Sequence, residues 1–249
     1  MWLGTVRVIG IETGSPENES GDERGKIAAW CIVLGFTIAW ILVLIVVGLL
    51  IVIIGAMVGM SLEMAMEFAI LVSYAVAIPI TLLFLHYDGD LSGVRRMLGL
   101  EGPRRAALLL VGIPVVVTIV DLILVVIYGI VYIEVFGEPS PPDIGVTWDS
   151  STLSIILILL STVIAGPIAE ELMFRGYILD SIRRMHGDVV AIVVSALLFG
   201  MVHLDPYTVG MATLGGVIYG YIRVKTGSLW PSMASHMIWN TIAMFVTYL

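Results

Sequence analysis

Long apolar runs separated by short polar segments make up most of this chain. The runs predict membrane-spanning helices, because a helix needs about 20 mostly apolar residues to cross the hydrocarbon core of a bilayer. We expect an all-α, polytopic membrane bundle of seven spans, and a short broken helix remains open as an eighth. The predicted spans are Ile27–Gly59, Phe68–Tyr87, Ala106–Phe136, a fourth from Thr152 into two glutamates, Val189–Leu204, Tyr207–Arg223 and Leu229–Leu249.

Polar segments divide the chain into three parts. Residues 1–26 are polar and lack an apolar period, which predicts a mobile tail outside the bilayer. Residues 27–150 form the first spans, and polar connections interrupt them at Met60–Glu67, 88–105 and 137–151. Residues 151–249 contain all of the paired polar positions described below.

Basic residues predict the orientation of the bundle. If the N-terminus lies in the cytosol, every Lys and Arg falls in an inner segment, as expected for cytoplasmic loops. The sequence therefore predicts a cytoplasmic N-terminus and an external C-terminus, and its short cytosolic loops favour a prokaryotic plasma membrane. The twelve basic residues are Arg7, Arg24, Lys26, Arg95, Arg96, Arg104, Arg105, Arg175, Arg183, Arg184, Arg223 and Lys225.

Composition agrees with a membrane protein and excludes an ordinary soluble domain. Hydrophobic residues make up 59% of the chain and charged residues 13%, whereas soluble domains carry about 25% charged residues. Cys31 is the single cysteine, which excludes an internal disulfide and any four-cysteine metal site. Membrane lipid is therefore a predicted partner, and no nucleic acid is.

Charged residues lie at the end of the fourth apolar run, which is followed by Glu170, Glu171 and Arg175. Two further pairs lie in similarly apolar surroundings, Phe199 with His203 and His236 with Asn240. An ionisable side chain inside a bilayer costs a few kcal/mol on insertion scales, so it usually faces a protein interior or a watery cavity. These positions are therefore the candidate functional residues.

Distances along the predicted helices bring the three groups to one depth. Glu170 and His203 lie almost equally far from the turn at Met185–Asp188, roughly 25 Å at a rise of about 1.5 Å per residue. His236 falls roughly 10–15 Å deep on its own helix. The fifth helix must then break inside the bilayer at Asp205-Pro206, which is tolerated only beside a cavity. We therefore expect a half-depth cavity that opens to the cytosol.

These residue types suit the activation of a water molecule and the stabilisation of an oxyanion. Glu170 and His203 side by side can act as a general base on water. His236 and Asn240 project from one helix face and can hold an oxyanion. The remaining motif residues have supporting roles in this interpretation, Glu171 and Arg175 as a structural ion pair and Phe199 as a packing partner of His203.

Metal binding remains an alternative use of the same side chains. Glu170, His203 and His236 could ligate one divalent ion such as zinc, with Asn240 as a weak fourth ligand. The sequence contains no His-Glu-x-x-His zinc motif and no Ser/His/Asp grouping. It therefore leaves both a metal-free and a metal-dependent reaction open.

The three motifs resemble a known family. Glu170-Glu171-x-x-x-Arg175, Phe199-x-x-x-His203 and His236-x-x-x-Asn240 are similar, in this order, to the motif set of the CAAX-protease and bacteriocin-processing family, the type II CAAX prenyl endopeptidases. The resemblance covers about 151–249, which it marks as the catalytic transmembrane core. It implies that Glu170 and His203 activate water, that His236 and Asn240 stabilise the oxyanion, and that cleavage occurs near the cytoplasmic face. The implied substrate is a peptide or the C-terminus of a prenylated CaaX protein.

Two other functions fit the polar spans less well. A non-catalytic scaffold or an immunity protein of the same family would have lost at least one catalytic position, and none is lost. An ion-coupled transporter would show a repeat with matching broken helices, whereas the paired polar motifs all lie in the last part of the chain. Asp121, in the middle of the third span, belongs to no motif, and we expect a Tyr or Thr of a neighbouring helix to bind it.

Overall fold

The structure is a computed structural model that describes residues 19–88, 97–99, 102–139 and 151–248. All regular elements within these ranges are helical, and consecutive pieces join into seven longer helices. The prediction of an all-α fold is therefore confirmed for the described chain. The helices are α1 (Glu19–Met57), α2 (Leu62–Asp88), α3 (103–136), α4 (Thr152–His186), α5 (Asp188–Met201), α6 (Pro206–Thr226) and α7 (Trp230–Tyr248).

Helix boundaries differ from the predictions mainly near the N-terminus. α1 begins at Glu19, within the segment predicted as a tail, whereas residues 1–18 lie outside the described residues. α2 begins at Leu62, so Glu67 lies buried on a helix instead of in the predicted connection. Most of the predicted segment 88–105, including Arg95 and Arg96, and residues 140–150 also lie outside the described residues.

Four of the described helices are long and apolar enough to cross a membrane. They are Gly25–Met57, Leu62–His86, Arg104–Phe136 and Thr152–His186, and Asp188–Met201 is a shorter apolar helix. These helices fit an integral membrane protein. By length and composition, however, four helices qualify as spans and not the predicted seven. α5 is too short, with 14 residues, whereas α6 and α7 are long enough, with 21 and 19 residues, but not sufficiently apolar.

The first two helices form an antiparallel pair. Trp40 Nε1 donates to Thr81 Oγ1 at 3.0 Å, and the ring of Phe36 stacks on that of Phe84 with centroids 3.7 Å apart. At the other end of the two helices, a Cβ on Gly55 would lie 2.8 Å from the Cβ of Ala65, so the close approach of α1 and α2 there requires a glycine. Close contact therefore continues along the pair.

α4 is the central helix of the described bundle. In its most apolar stretch, 39% of the residues are buried, a larger share than in the other three candidate spans. Phe174 packs edge-on against Trp40 of α1, and its carbonyl accepts from Ser195 Oγ of α5 at 2.8 Å. Gly176 lies against Leu229 beside α7. α4 thus fixes the relative positions of the helices that carry the motif residues.

Two segments of α4 are π-helical, Leu159–Ala165 and Leu172–Ile178. Pro167 follows the first segment and has no amide hydrogen to donate. The N–H of Gly166 bonds to the Ser161 carbonyl instead of to that of Thr162. The second segment begins directly after Glu171 and contains Arg175. Wider turns of this kind are frequent at functional sites.

A sharp turn joins α5 to α6. α5 ends at Met201, three residues before the predicted end of the fifth span, so His203 lies in the turn and not on the helix. Leu204 has a φ of 63°, a conformation that a residue with a Cβ rarely adopts. Asp205 caps α6 by accepting from the Thr208 amide at 2.8 Å. The predicted break at Asp205-Pro206 is therefore present.

A glycine on α5 allows this hairpin to close. A Cβ on Gly200 would lie 2.6 Å from the Val209 carbonyl oxygen of α6, a distance that forces the backbone to move. We expect Gly200→Ala to lower the melting temperature in detergent and the folded yield. Gly35→Ala is the matched control, because a Cβ on Gly35 meets nothing within 4 Å. Equal melting temperatures for the two variants would contradict the close packing of α5 on α6.

Candidate active site

One cavity of about 330 Å³ brings together five of the seven motif residues. Glu170, Phe199, His203, His236 and Asn240 all line it, as the depth argument predicts. Its apolar wall includes Ile70, Met211, Trp239 and Met244, and its other polar lining residues are Tyr74, Asp121, Thr162, Thr208 and Tyr219. Glu171 and Arg175 lie behind this wall with no exposed side-chain surface.

Glu170 is the carboxylate that faces the cavity. The relative exposure of its side chain is 15%, whereas the side chain of Glu171 is completely buried. Tyr74 of α2 donates from its hydroxyl to Glu170 Oε1 at 2.7 Å. Glu170 Oε2 lies 3.7 Å from His236 Nε2. One oxygen of the carboxylate is thus held by a tyrosine, while the other faces an imidazole.

Gly166 makes room for this tyrosine. It lies one turn before Glu170 on α4, and a Cβ there would approach the ring of Tyr74 to 3.3 Å and the Ser161 carbonyl oxygen to 3.1 Å. Without a side chain at this position, the ring can lie against α4 and direct its hydroxyl at Glu170. The contact between α2 and α4 therefore depends on the glycine of the sequence Gly166-Pro167.

Glu171 connects α4 to the imidazole of α7. Its Oε1 lies 3.2 Å from His236 Nδ1 and accepts from Arg175 Nη1 at 2.9 Å. A carboxylate accepts hydrogen bonds, so the Nδ1 position of His236 donates. Nε2 of the ring is then directed towards Glu170. Sequence reasoning assigned Glu171 only to an ion pair and missed its contact with His236.

Arg175 lies between two aromatic rings. Its guanidinium carbon is 4.2 Å from the centroid of Phe199 and 5.4 Å from that of Tyr219. The predicted ion pair with Glu171 is present and completely buried. Rings that face a cation partly replace the water that the cation has lost. Arg175 thus supports the site from behind and does not line the cavity.

His203 is held by the turn in which it lies. Its Nδ1 is 2.9 Å from the carbonyl oxygen of Phe199, and the two rings pack edge to face at 5.1 Å, as the sequence predicts. Because a carbonyl accepts, Nδ1 carries the proton and Nε2 of the neutral ring keeps a lone pair. The described contacts link Glu170 to His236 and Tyr74 but do not include a direct bond between Glu170 and His203.

Asn240 binds a carbonyl that α4 leaves free. Its Nδ2 donates to the Thr162 carbonyl at 2.8 Å. The α-helical donor for this carbonyl, the N–H of Gly166, is bonded elsewhere, and the π-helical donor would be Pro167, which has none. The amide group has a second hydrogen. Asn240 is therefore fixed by α4 and can still donate one hydrogen bond to a ligand.

The predicted metal ligands do not group in a way that fits an ion. Among the described residues, no set of three His, Cys, Asp or Glu side chains is placed to hold a metal. The Nδ1 atoms of His203 and His236 have protein partners, which leaves Nε2 of each ring as the nitrogen that could bind an ion. In the described chain, however, Glu170, His203 and His236 are not grouped closely enough to hold one.

Three cavity residues escaped the motif search. Tyr74, Asp121 and Tyr219 occupy apolar helices at positions that no spacing links to the glutamates. Tyr219 stacks on His236 with ring centroids 5.6 Å apart and donates to Asp121 Oδ2 at 2.9 Å. The expected tyrosine partner of Asp121 is thus present. Only the cost of a carboxylate in a span made Asp121 visible in the sequence.

Comparison with known proteins identifies the part of the chain that builds most of this cavity. Residues 152–242 match the family model described as type II CAAX prenyl endopeptidase Rce1-like. We call this segment, which is similar to that family, the Rce1-like domain. The match includes all seven motif residues and confirms the predicted resemblance, whereas Tyr74 and Asp121 lie outside the Rce1-like domain.

A bacterial relative agrees with this assignment. The chain is 26% identical over 91 residues to the Bacillus subtilis (strain 168) protein named "Putative membrane peptidase YdiL". The matched stretch covers 36% of this chain and 37% of the length of that relative. No solved structure matches the chain. The Rce1-like domain and this relative support a membrane protease.

The buried ion pair of the Rce1-like domain gives a stability prediction. Arg175→Ala strands the Glu171 charge, and loss of one partner of a buried pair costs about 3–5 kcal/mol. We therefore expect a lower melting temperature and folded yield in detergent as well as lower activity. Glu171→Gln should have a milder effect, because its amide oxygen can still accept from Arg175. An unchanged melting temperature for Arg175→Ala, together with lost turnover, would contradict this structural role.

Proposed function

We propose that the protein is an intramembrane endopeptidase that resembles type II CAAX prenyl proteases. The observation that carries this proposal is the single cavity of the Rce1-like domain in which Glu170, His203, His236 and Asn240 meet. A carboxylate base, two imidazoles and an amide donor are the groups that a water-dependent attack on an amide carbonyl requires.

Glu170 acts as the general base in the proposed reaction. A water molecule beside Oε2 gives its proton to the carboxylate as its oxygen attacks the carbonyl carbon of the peptide bond. His203 accepts a hydrogen bond from the same water at Nε2, the atom left free by the contact between Nδ1 and Phe199. Glu170 then returns the proton to the leaving amine when the carbon–nitrogen bond breaks.

His236 and Asn240 stabilise the oxyanion of the tetrahedral intermediate. His236 can donate from Nε2 when the ring carries two protons, and Asn240 can donate its second amide hydrogen. Two carboxylates flank His236, at 3.2 Å and 3.7 Å, and Arg175 balances only one of these negative charges. An imidazolium at position 236 would balance the other. The buried charges of Glu170, Glu171, Arg175 and His236 then sum to zero.

The reaction as proposed uses protein side chains and water alone. The lack of a grouped ligand set in the described chain supports this version over a metal-dependent one. We propose seven spans with the N-terminus in the cytosol of a prokaryotic cell. Cleavage then takes place near the cytoplasmic face, for example in release of the last three residues of a prenylated CaaX protein.

Cleavage of a defined peptide tests the proposed function. The purified full-length protein in detergent is incubated with a farnesylated CaaX peptide, with and without a chelator, and the products are identified by mass. We expect loss of the last three residues at a rate that the chelator leaves unchanged. Inhibition that added zinc reverses would contradict the metal-free reaction. A lack of cleavage of this peptide and of unprenylated membrane peptides would favour a non-catalytic member of the family.

Substitutions in the cavity test the assigned roles. Glu170→Gln and His203→Ala should abolish cleavage while the protein still folds, whereas Asn240→Ala should lower kcat about 10²- to 10³-fold, as for loss of one oxyanion donor. Glu63→Gln is the matched control, because Glu63 is an exposed carboxylate at the start of α2. Substantial turnover by either of the first two variants would contradict the assignment of the water-activating pair.

Tyr74 gives a separate prediction for the positioning of the base. Tyr74→Phe keeps the ring against α4 but removes the 2.7 Å hydrogen bond to Glu170. We expect kcat to fall roughly tenfold, the equivalent of about 1.4 kcal/mol, with little change in KM. Gly166→Ala should have a similar effect by displacing the ring, and Tyr221→Phe on the exposed side of α6 is the control. A normal kcat for Tyr74→Phe would show that Glu170 needs no such support.

A further inference from the structure

Asp121 is a second carboxylate of the cavity and has no role in the reaction proposed above. It lies near the middle of α3, outside the Rce1-like domain, and its side chain is almost completely buried, with 2% relative exposure. Tyr219 donates to Oδ2, but Oδ1 has no hydrogen-bond partner. A buried polar atom without a partner is costly, and more so when it is charged.

Gly215 provides the space in which this carboxylate lies. A Cβ on Gly215 would be 3.5 Å from both carboxylate oxygens of Asp121, and both residues line the cavity. At position 215, α6 therefore presents only backbone to the carboxylate, whereas Tyr219 of the same helix binds Oδ2. The tyrosine bond accounts for one oxygen, while the other oxygen is buried and has no donor among the described residues.

Charge around the cavity is unbalanced when Asp121 is included. No Lys or Arg is among the described residues that line the cavity. Arg175 lies behind the wall and is bound to Glu171, and the imidazolium proposed at position 236 would balance Glu170. An ionised Asp121 then adds one negative charge for which the described cavity has no cation. A ligand that carries a positive charge would supply it.

We propose that Asp121 forms a subsite for an amine of the peptide substrate, such as the ammonium group of a lysine close to the cleaved bond. This assignment rests on the proposed peptidase function and adds a specificity to it. An ammonium group donates up to three hydrogen bonds and so can satisfy Oδ1 while it neutralises the carboxylate. The substrate class is therefore a membrane-associated peptide with a basic residue beside the scissile bond.

Matched peptides test this subsite. Farnesylated CaaX peptides carry either lysine or norleucine at the residue before the farnesylated cysteine or at one of the residues after it, so that the two series differ by an amine. For the wild-type protein, we expect lysine at one position to raise kcat/KM at least about tenfold over norleucine. Cleavage of both peptides at equal rates, at every position, would overturn the subsite but leave the peptidase function intact.

Two variants separate a charge effect from a structural one. Asp121→Asn keeps an oxygen that accepts from Tyr219 but loses the charge, and we expect the ratio between the lysine and norleucine peptides to fall to about one. Tyr219→Phe removes the hydroxyl but keeps the carboxylate, so turnover should fall while the preference for lysine remains. If both variants lose turnover equally on all peptides and keep the preference, Asp121 is a structural anchor and the proposal is wrong.

Binding measurements keep the test independent of turnover. A ligand that binds the folded state raises the melting temperature, so the same peptides are added to the intact protein in detergent. The lysine peptide should stabilise the wild-type protein more than the norleucine peptide does, and this difference should vanish in Asp121→Asn. Equal stabilisation of the wild-type protein by both peptides would overturn the subsite even if no peptide is cleaved. Absence of cleavage together with a lysine-specific shift would instead contradict only the peptidase function.

Discussion

The rest of the site depends on the hydrogen bonds that the buried Glu171 carboxylate accepts. It accepts from Arg175 on its own helix and from His236 on α7, and neither Glu171 nor Arg175 has exposed side-chain surface. Such a pair rarely adds stability over an apolar pair, but loss of one partner is severe because a charge remains buried alone. The hydrogen bond between Glu171 and His236 joins the two helices and therefore fixes the rotation of α4 against α7. That rotation directs Nε2 of His236 at Glu170.

The parts of this site that the sequence predicted are those that follow from spacing. Glu171 and Arg175 are one helical turn apart, so their ion pair follows from helix geometry alone. The common depth of Glu170, His203 and His236 follows from the distances to two turns, and the cavity contains all three. The break at Asp205-Pro206 follows from proline chemistry. These inferences need only the local geometry of one or two helices.

The parts that escaped prediction depend on how helices rotate and pack. His203 lies in a turn because α5 ends at Met201, three residues before the predicted end of the span. The π-helical turns of α4 arise from backbone hydrogen bonds between residues five apart instead of four. The periodicity of an apolar run does not reveal such bonds. Tyr74 and Tyr219 are single tyrosines in apolar helices, where most tyrosines only pack. Their contacts with Glu170 and His236 appear only when the helices are assembled.

The N-terminal helices are a part of the site although they carry no motif. Without α2, Glu170 Oε1 would lose its tyrosine donor, and without α3 the buried hydroxyl of Tyr219 would lose its acceptor. The bond from Tyr74 of α2 reaches the proposed base, Glu170, directly. Asp121 of α3 binds Tyr219, whose ring stacks on His236. Residues 152–242 thus supply the groups to which we assign the reaction, while α2 and α3 hold two of the side chains around them. Substitutions in α2 and α3 are therefore expected to change the site although these helices carry no motif.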